Sequence, residues 1–165
     1  MSTSPLTIEH ILFPTDFSDL SRQALQFAIN FCESYKADLH LLHVVDEGYQ
    51  YWMAVGPEGV PVGPAPEELM AAAKSQMQEF QRQHVSDVTF PVQTEVVFGQ
   101  PYVEICEYAS RHSIDLIVIA THGRGALTSV LLGSTTNRVV HRAPCPVLTV
   151  REKKPRDQHD EGGED

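Results

Sequence analysis

Apolar residues fall along this chain in two alternating rhythms. Short, mostly apolar runs of strand length cover His10 to Thr15, Asp38 to Val45, Asp115 to Ala120 and Pro146 to Val150, whereas Val92 to Phe98 partly alternates. Between them Leu20, Ala24, Phe27 and Phe31, and then Leu69, Ala73, Met77 and Phe80, recur at three- and four-residue spacing. That period predicts two helices with those faces turned to a core. Two more helices are expected, from about Tyr102 to His112 and from Gly133 to His141, the last stopped by Ala143-Pro144-Cys145-Pro146. Buried strands alternating with amphipathic helices describe an α/β domain: an open parallel sheet with helices on both faces.

The patterns also order the strands. An alternating strand belongs near an edge, and a strand apolar on both faces belongs in the middle. With right-handed crossovers, five strands then favour the order 3-2-1-4-5, which sets the carboxyl ends of strands 1 and 4 side by side at the switch point where such sheets bind ligands. The stretch Asp46 to Pro66, rich in Gly and Pro and carrying Tyr49, Tyr51 and Trp52, is too long for an ordinary connection. It reads either as a connector or as a lid or partner-binding surface.

Length and charge narrow the picture. At 165 residues and 42% hydrophobic, the chain has material for one core. The formal charge of −10 argues against nucleic acid as a partner, so an anion would have to be held by local donors. No long apolar run or signal segment stands out, and a cytoplasmic protein without membrane contact is expected. Residues 152–165 form an acidic segment expected to be a disordered tail, which leaves 7–151 as the domain. Cys32, Cys106 and Cys145 offer no C-x-x-C pair and read as buried thiols.

Candidate chemistry gathers at the two strand ends. After strand 1 comes Phe13-Pro14-Thr15-Asp16-Phe17-Ser18, in which Asp16 is either a turn and capping residue or a carboxylate for a ribose hydroxyl or a phosphate-bound metal. After strand 4, Gly123 and Gly125 permit close backbone approach, and Gly133-Ser134-Thr135-Thr136 offers amides and hydroxyls at a helix start. Arg124 adds a positive charge, and His122 is either a ligand contact or an ordinary loop residue. These groups suit phosphate without lysine. The chain has no G-x-x-x-x-G-K-S/T, no G-x-G-x-x-G after strand 1, no G-x-S-x-G and no H-E-x-x-H, which disfavours the corresponding NTPases, dehydrogenases, hydrolases and metalloproteases. His40 and His43, at i and i+3 on one strand, face opposite sides and make no metal pair.

Ile11 to Ser18, Leu41 to Asp46, Gly99-Gln100-Pro101, Asp115 to Arg124, Leu132-Gly133-Ser134 and Pro144 to Val147 together resemble the single-domain universal stress proteins, over roughly Thr7 to Val150. The resemblance implies the adenine nucleotide alpha hydrolase-like fold and, for the ATP-binding branch, the pattern G-x2-G-x9-G-S/T. Here Gly123, Gly133 and Ser134 match that pattern, while Ala120 stands in place of its first glycine. Alanine fits only if the position is strand-like. Carried over by resemblance, Pro14, Thr15 and Asp16 line the nucleoside side, and Val44 meets adenine through its main chain. Ala120, Thr121, His122, Gly123 and Arg124, with Gly133, Ser134, Thr135 and Thr136, surround ribose and phosphates.

The implied cofactor is ATP, or ADP or AMP, with Mg reached by Asp16 through the nucleotide. The function so implied is a stress-response regulator whose ligand state alters a dimer or partner contact, with a homodimer formed through the apolar edge strand Val147 to Val150. A slow ATPase and a nucleotide-free interaction module are the alternatives. No catalytic residue is assigned.

Overall fold

The computed structural model describes residues 7–46, 48, 63–121 and 132–152. Five strands, β1 (His10–Pro14), β2 (Asp38–Asp46), β3 (Val92–Gly99), β4 (Leu116–Ala120) and β5 (Val147–Val150), form one sheet in the order β3-β2-β1-β4-β5. Every pairing is parallel. Ile11 of β1 sits opposite Leu39 on one side and Leu116 on the other, so β1 is central and its carboxyl end lies beside that of β4. The partly alternating β3 is indeed at an edge, with Gln93 and Thr94 exposed.

Four helices among the described residues cover the sheet: α1 (Asp19–Tyr35), α2 (Pro66–His84), α3 (Pro101–Arg111) and α4 (Ser134–Arg142). Successive strand residues face opposite ways, which divides the core in two. On one face Ile11, Phe13, Leu39, Leu41 and Val118 pack with Leu25, Ala28 and Ile29 of α1 and Met77 and Phe80 of α2. On the other, Leu12, Leu42, Ile117 and Ile119 pack with Ile105, Tyr108 and Ala109 of α3 and Val139 of α4. Helix starts follow local chemistry: Ser18 caps α1 through its side chain, and proline opens α2 and α3 where a missing N–H costs nothing.

One predicted helix face is rotated. The buried stripe of α1 is Ser21, Ala24, Leu25, Ala28, Ile29 and Cys32, with Leu20 and Phe31 at its flanks. Phe27, expected in the core, is 49% exposed. At 100° per residue it lies roughly 130° from the centre of that stripe, so small residues let α1 lie close on the sheet and the large ring faces outward. On α2 Ala73, Met77 and Phe80 are buried as expected, and Leu69 is half-buried. Of the thiols only Cys32 is fully buried; Cys106 and Cys145 are half-buried.

Candidate functional site

The first wall of the site is the turn leaving β1. Pro14 and Thr15 are buried, and the Thr15 amide still donates to the Leu42 carbonyl at 2.9 Å, one residue beyond the strand. The chain then turns sharply. Thr15 Oγ1 accepts the Phe17 amide at 3.0 Å and shares a 2.8 Å hydrogen bond with the Ser21 hydroxyl, while Asp16 Oδ1 accepts the Ser18 amide at 3.0 Å. Asp16 therefore does serve the turn, the simpler of its two sequence readings. Ser18 Oγ accepts the Ser21 amide at 3.2 Å and so caps α1.

Phe17 adopts φ 63°, a left-handed conformation that costs a bulky residue energy because Cβ crowds the following carbonyl. Packing holds it there: its ring lies 4.4 Å from His43 at an interplanar angle of 31°, and 5.5 Å from Phe80. His43 in turn donates from Nδ1 to the Thr15 carbonyl at 2.7 Å, and since a carbonyl only accepts, the proton sits on Nδ1.

The second wall joins β4 to α4. Ala120 ends β4 opposite Val150, is 7% exposed, and does not have the positive φ that would call for glycine. Its carbonyl accepts the Thr136 hydroxyl at 2.8 Å. Thr121 donates its amide to Val150 O at 2.9 Å and accepts the Gly133 amide at 2.7 Å, so the two ends of segment 122–131 are clasped together. His122, Gly123 and Arg124 lie outside the described residues, as does most of the long connection 46–66.

The clasp engages donors of two residues expected to line the ligand. The Gly133 amide and the Thr136 hydroxyl, expected to face an anion, are bonded to the protein's own main chain, and Thr136 is only 4% exposed. Ser134 and Thr135 are exposed and half-buried, respectively. Gly133, the N-cap of α4, has no side chain to cap that end, and the amides of a helix's first turn suit an anion. Val44, half-buried in β2 opposite Val97, sits two residues past the Leu42 carbonyl that takes the Thr15 amide. No group of three or more metal-ligating side chains occurs among the described residues.

Other reactive groups are held quiet. Burial pushes the Cys32 thiol up to about 12 and Cys145 to about 11, and raises Cys106, so none is poised as a thiolate. His40 faces away from His43, as expected, and meets Tyr108 of α3 through a 3.0 Å hydrogen bond at Nδ1. Sequence reasoning missed His43, Phe17 and Ser21 as builders of the first wall. The available signal was a polar ring one position before Val44, at the carboxyl end of a buried strand.

Comparison with known proteins agrees with this architecture. The model of the universal stress protein family matches residues 7–151. Universal stress protein MJ0531 of Methanocaldococcus jannaschii is 34% identical over 148 residues, covering 87% of this chain and 82% of the relative. The solved structure of protein MJ0577, from the same organism, superposes with a TM-score of 0.75 at 32% identity, over 90% of this chain and 99% of that one. A universal stress protein solved in complex with cAMP has a TM-score of 0.64 over 88% of this chain and 98% of its own, a likeness of fold alone at 21% identity.

Proposed function

The chain belongs to the universal stress protein family, and from that premise we propose that it binds ATP in the cleft between the carboxyl ends of β1 and β4 and acts as a nucleotide-dependent regulator. One observation carries the reading. The hydrogen-bonded Thr15–Ser18 turn after β1 and the α4 start, tied to the end of β4 and with glycine at its N-cap, lie at the ends of neighbouring strands at the sheet's switch point, one offering polar groups for a nucleoside and the other amides for phosphates. With a net charge of −10 the molecule as a whole repels anions, so these local donors, with Arg124 and the glycines of the 122–131 segment, supply the affinity.

In this reading Pro14, Thr15, Asp16 and Val44 line the nucleoside side, and Thr121, Gly123, Arg124, Ser134 and Thr135 line the phosphates. Asp16 also meets Mg carried by the nucleotide. Ala120 and Thr136 shape the phosphate wall through their mutual hydrogen bond. The site holds nucleotide without consuming it. Ligand state is read out through a homodimer that pairs β5, which among the described residues is an edge strand with β4 as its one neighbour. None of the described helices is long and apolar enough to cross a membrane, and the proposed setting is the cytoplasm.

The test is to extract small molecules from freshly purified protein, identify them by mass spectrometry, and titrate the stripped protein with Mg-ATP. Adenine nucleotide in the extract and a ligand-dependent rise in melting temperature are expected. Absence of both would overturn the proposal, and phosphate release abolished by Asp16→Ala would replace it with an enzyme.

A further inference from the structure

We propose that His43 is a positioning residue for the nucleoside half of the cleft, acting through the Thr15–Ser18 turn, with no contact to the ligand of its own. The inference rests on the nucleotide-binding reading above. Three observations meet at this one imidazole. It donates from Nδ1 to the Thr15 carbonyl at 2.7 Å across 28 residues of sequence, tying β2 to the first residue of the turn. Its ring covers Phe17 at 4.4 Å, the residue held in the left-handed conformation. The turn it braces carries Asp16, whose Oδ1 is already engaged with the Ser18 amide, so the direction of that carboxylate depends on the backbone of Thr15 to Ser18 keeping its shape.

A phenylalanine at φ 63° tends to relax toward negative φ unless its surroundings over-determine it. Phe80 supports the far edge of the ring at 5.5 Å, and His43 supports its face. Thr15 Oγ1 fixes the Phe17 amide, and His43 fixes the Thr15 carbonyl, so the two peptide groups that flank Asp16 are both anchored. Without the imidazole, the carbonyl of buried Thr15 loses its side-chain donor and the Phe17 ring loses a wall. Rotation of the turn would then swing Asp16 away from the cleft. The phosphate wall is built separately, on the Gly133 amide bonded to Thr121 O and the Thr136 hydroxyl bonded to Ala120 O.

The experiment measures affinity for adenosine and for Mg-ATP by calorimetry, together with the melting temperature of the nucleotide-free protein, in the wild type, His43→Ala, His43→Asn and His43→Phe. Asparagine keeps a donor near the Nδ1 position without the ring; phenylalanine keeps the ring without the donor. His43→Ala is expected to weaken adenosine about tenfold and Mg-ATP by at least that factor, because Asp16 serves both the nucleoside side and the Mg carried by the nucleotide. His43→Asn and His43→Phe should each recover part of it. A long-range nitrogen–proton spectrum of the wild type should show His43 protonated at Nδ1. Equal affinities in wild type and His43→Ala, or a loss on ATP but not adenosine, would overturn the proposal. So would a loss that neither conservative variant recovers and that follows the melting temperature. A wild type that binds neither ligand would instead refute the nucleotide-binding reading itself.

Discussion

The hydroxyl of Thr136 donates to the carbonyl oxygen of Ala120 at 2.8 Å, joining the first turn of α4 to the last residue of β4 across the segment between them. Both residues are buried, so the bond sets where the α4 amides point relative to the strand. Thr136→Val preserves shape but leaves that carbonyl without the hydroxyl, and is expected to cost about 1–3 kcal/mol of stability. Thr136→Ser should cost much less. Urea unfolding of the two variants checks this, and Mg-ATP affinity should fall in the valine variant by more than in the serine one.

Acid sensitivity has a defined source. Under α3, His40 is 2% exposed and keeps company with His10 of β1 at 5.5 Å, His112 at 5.7 Å and Tyr108 at 5.8 Å between ring centres. Burial, reinforced by His10 and His112 and opposed by Asp38, pushes its imidazole down to about 4. Glu95 of β3 lies 4.0 Å from His112, and Arg111 lies over the Tyr108 ring. Since the unfolded chain takes up the His40 proton near pH 6.5 and the folded one only near 4, the unfolded state binds more protons between those values. Stability is therefore full above pH 6.5 and falls as pH drops toward 4, by about 3 kcal/mol in all from this group. Urea midpoints from pH 7.5 to 4 measure the fall, and the His40 ring proton signals should stay unshifted from pH 8 to 5.

Lys36 closes α1 at φ 58° and ψ 41°, its amide reaching back to Cys32 O, and its side chain is exposed. Glycine takes that conformation without a Cβ penalty. Lys36→Gly should stabilise the protein by about 0.5–1 kcal/mol and raise the melting temperature by about 1–4 °C. Calorimetric melting decides it, and a lower melting point would show that the lysine side chain contributes more than its backbone strain costs.

Asp115, just before β4, accepts the amides of Glu9 and His10 at 2.8 and 2.9 Å through Oδ2, and so holds the start of β1 in register with its neighbour. Asp115→Ala removes an ionised acceptor from two backbone donors, a loss of about 1.5–3 kcal/mol. Asp115→Asn retains an oxygen and should lose less. Hydrogen exchange at His10 and Glu9 should accelerate most in the alanine variant.

Strand positions were readable to within a residue at each end. A buried parallel strand shows as an apolar run whatever it packs against, so His10–Pro14 and Leu116–Ala120 were nearly complete in the pattern. The α1 stripe was less so, because alanine, serine and cysteine fill the buried positions and a hydrophobic scan gives more weight to Phe27. At the site, the clusters at the ends of β1 and β4 were visible as residues, but their internal wiring was not. That the Gly133 amide and the Thr136 hydroxyl bond main-chain carbonyls was not legible, because a donor at a helix start shows no partner in the local sequence.

By itself the sequence determined the alternation of strand and helix and, through chain handedness, the order of the sheet; both follow from local periodicity and from sterics common to every chain. Tertiary structure alone decided which polar groups turn inward. The Thr136–Ala120 bond spans 16 residues, the His43–Thr15 bond 28 and the His40–Tyr108 bond 68, and no local pattern encodes a partner at such distances. Those partners exist only once the sheet has set strand ends and helix starts side by side, where a buried carbonyl must find a donor.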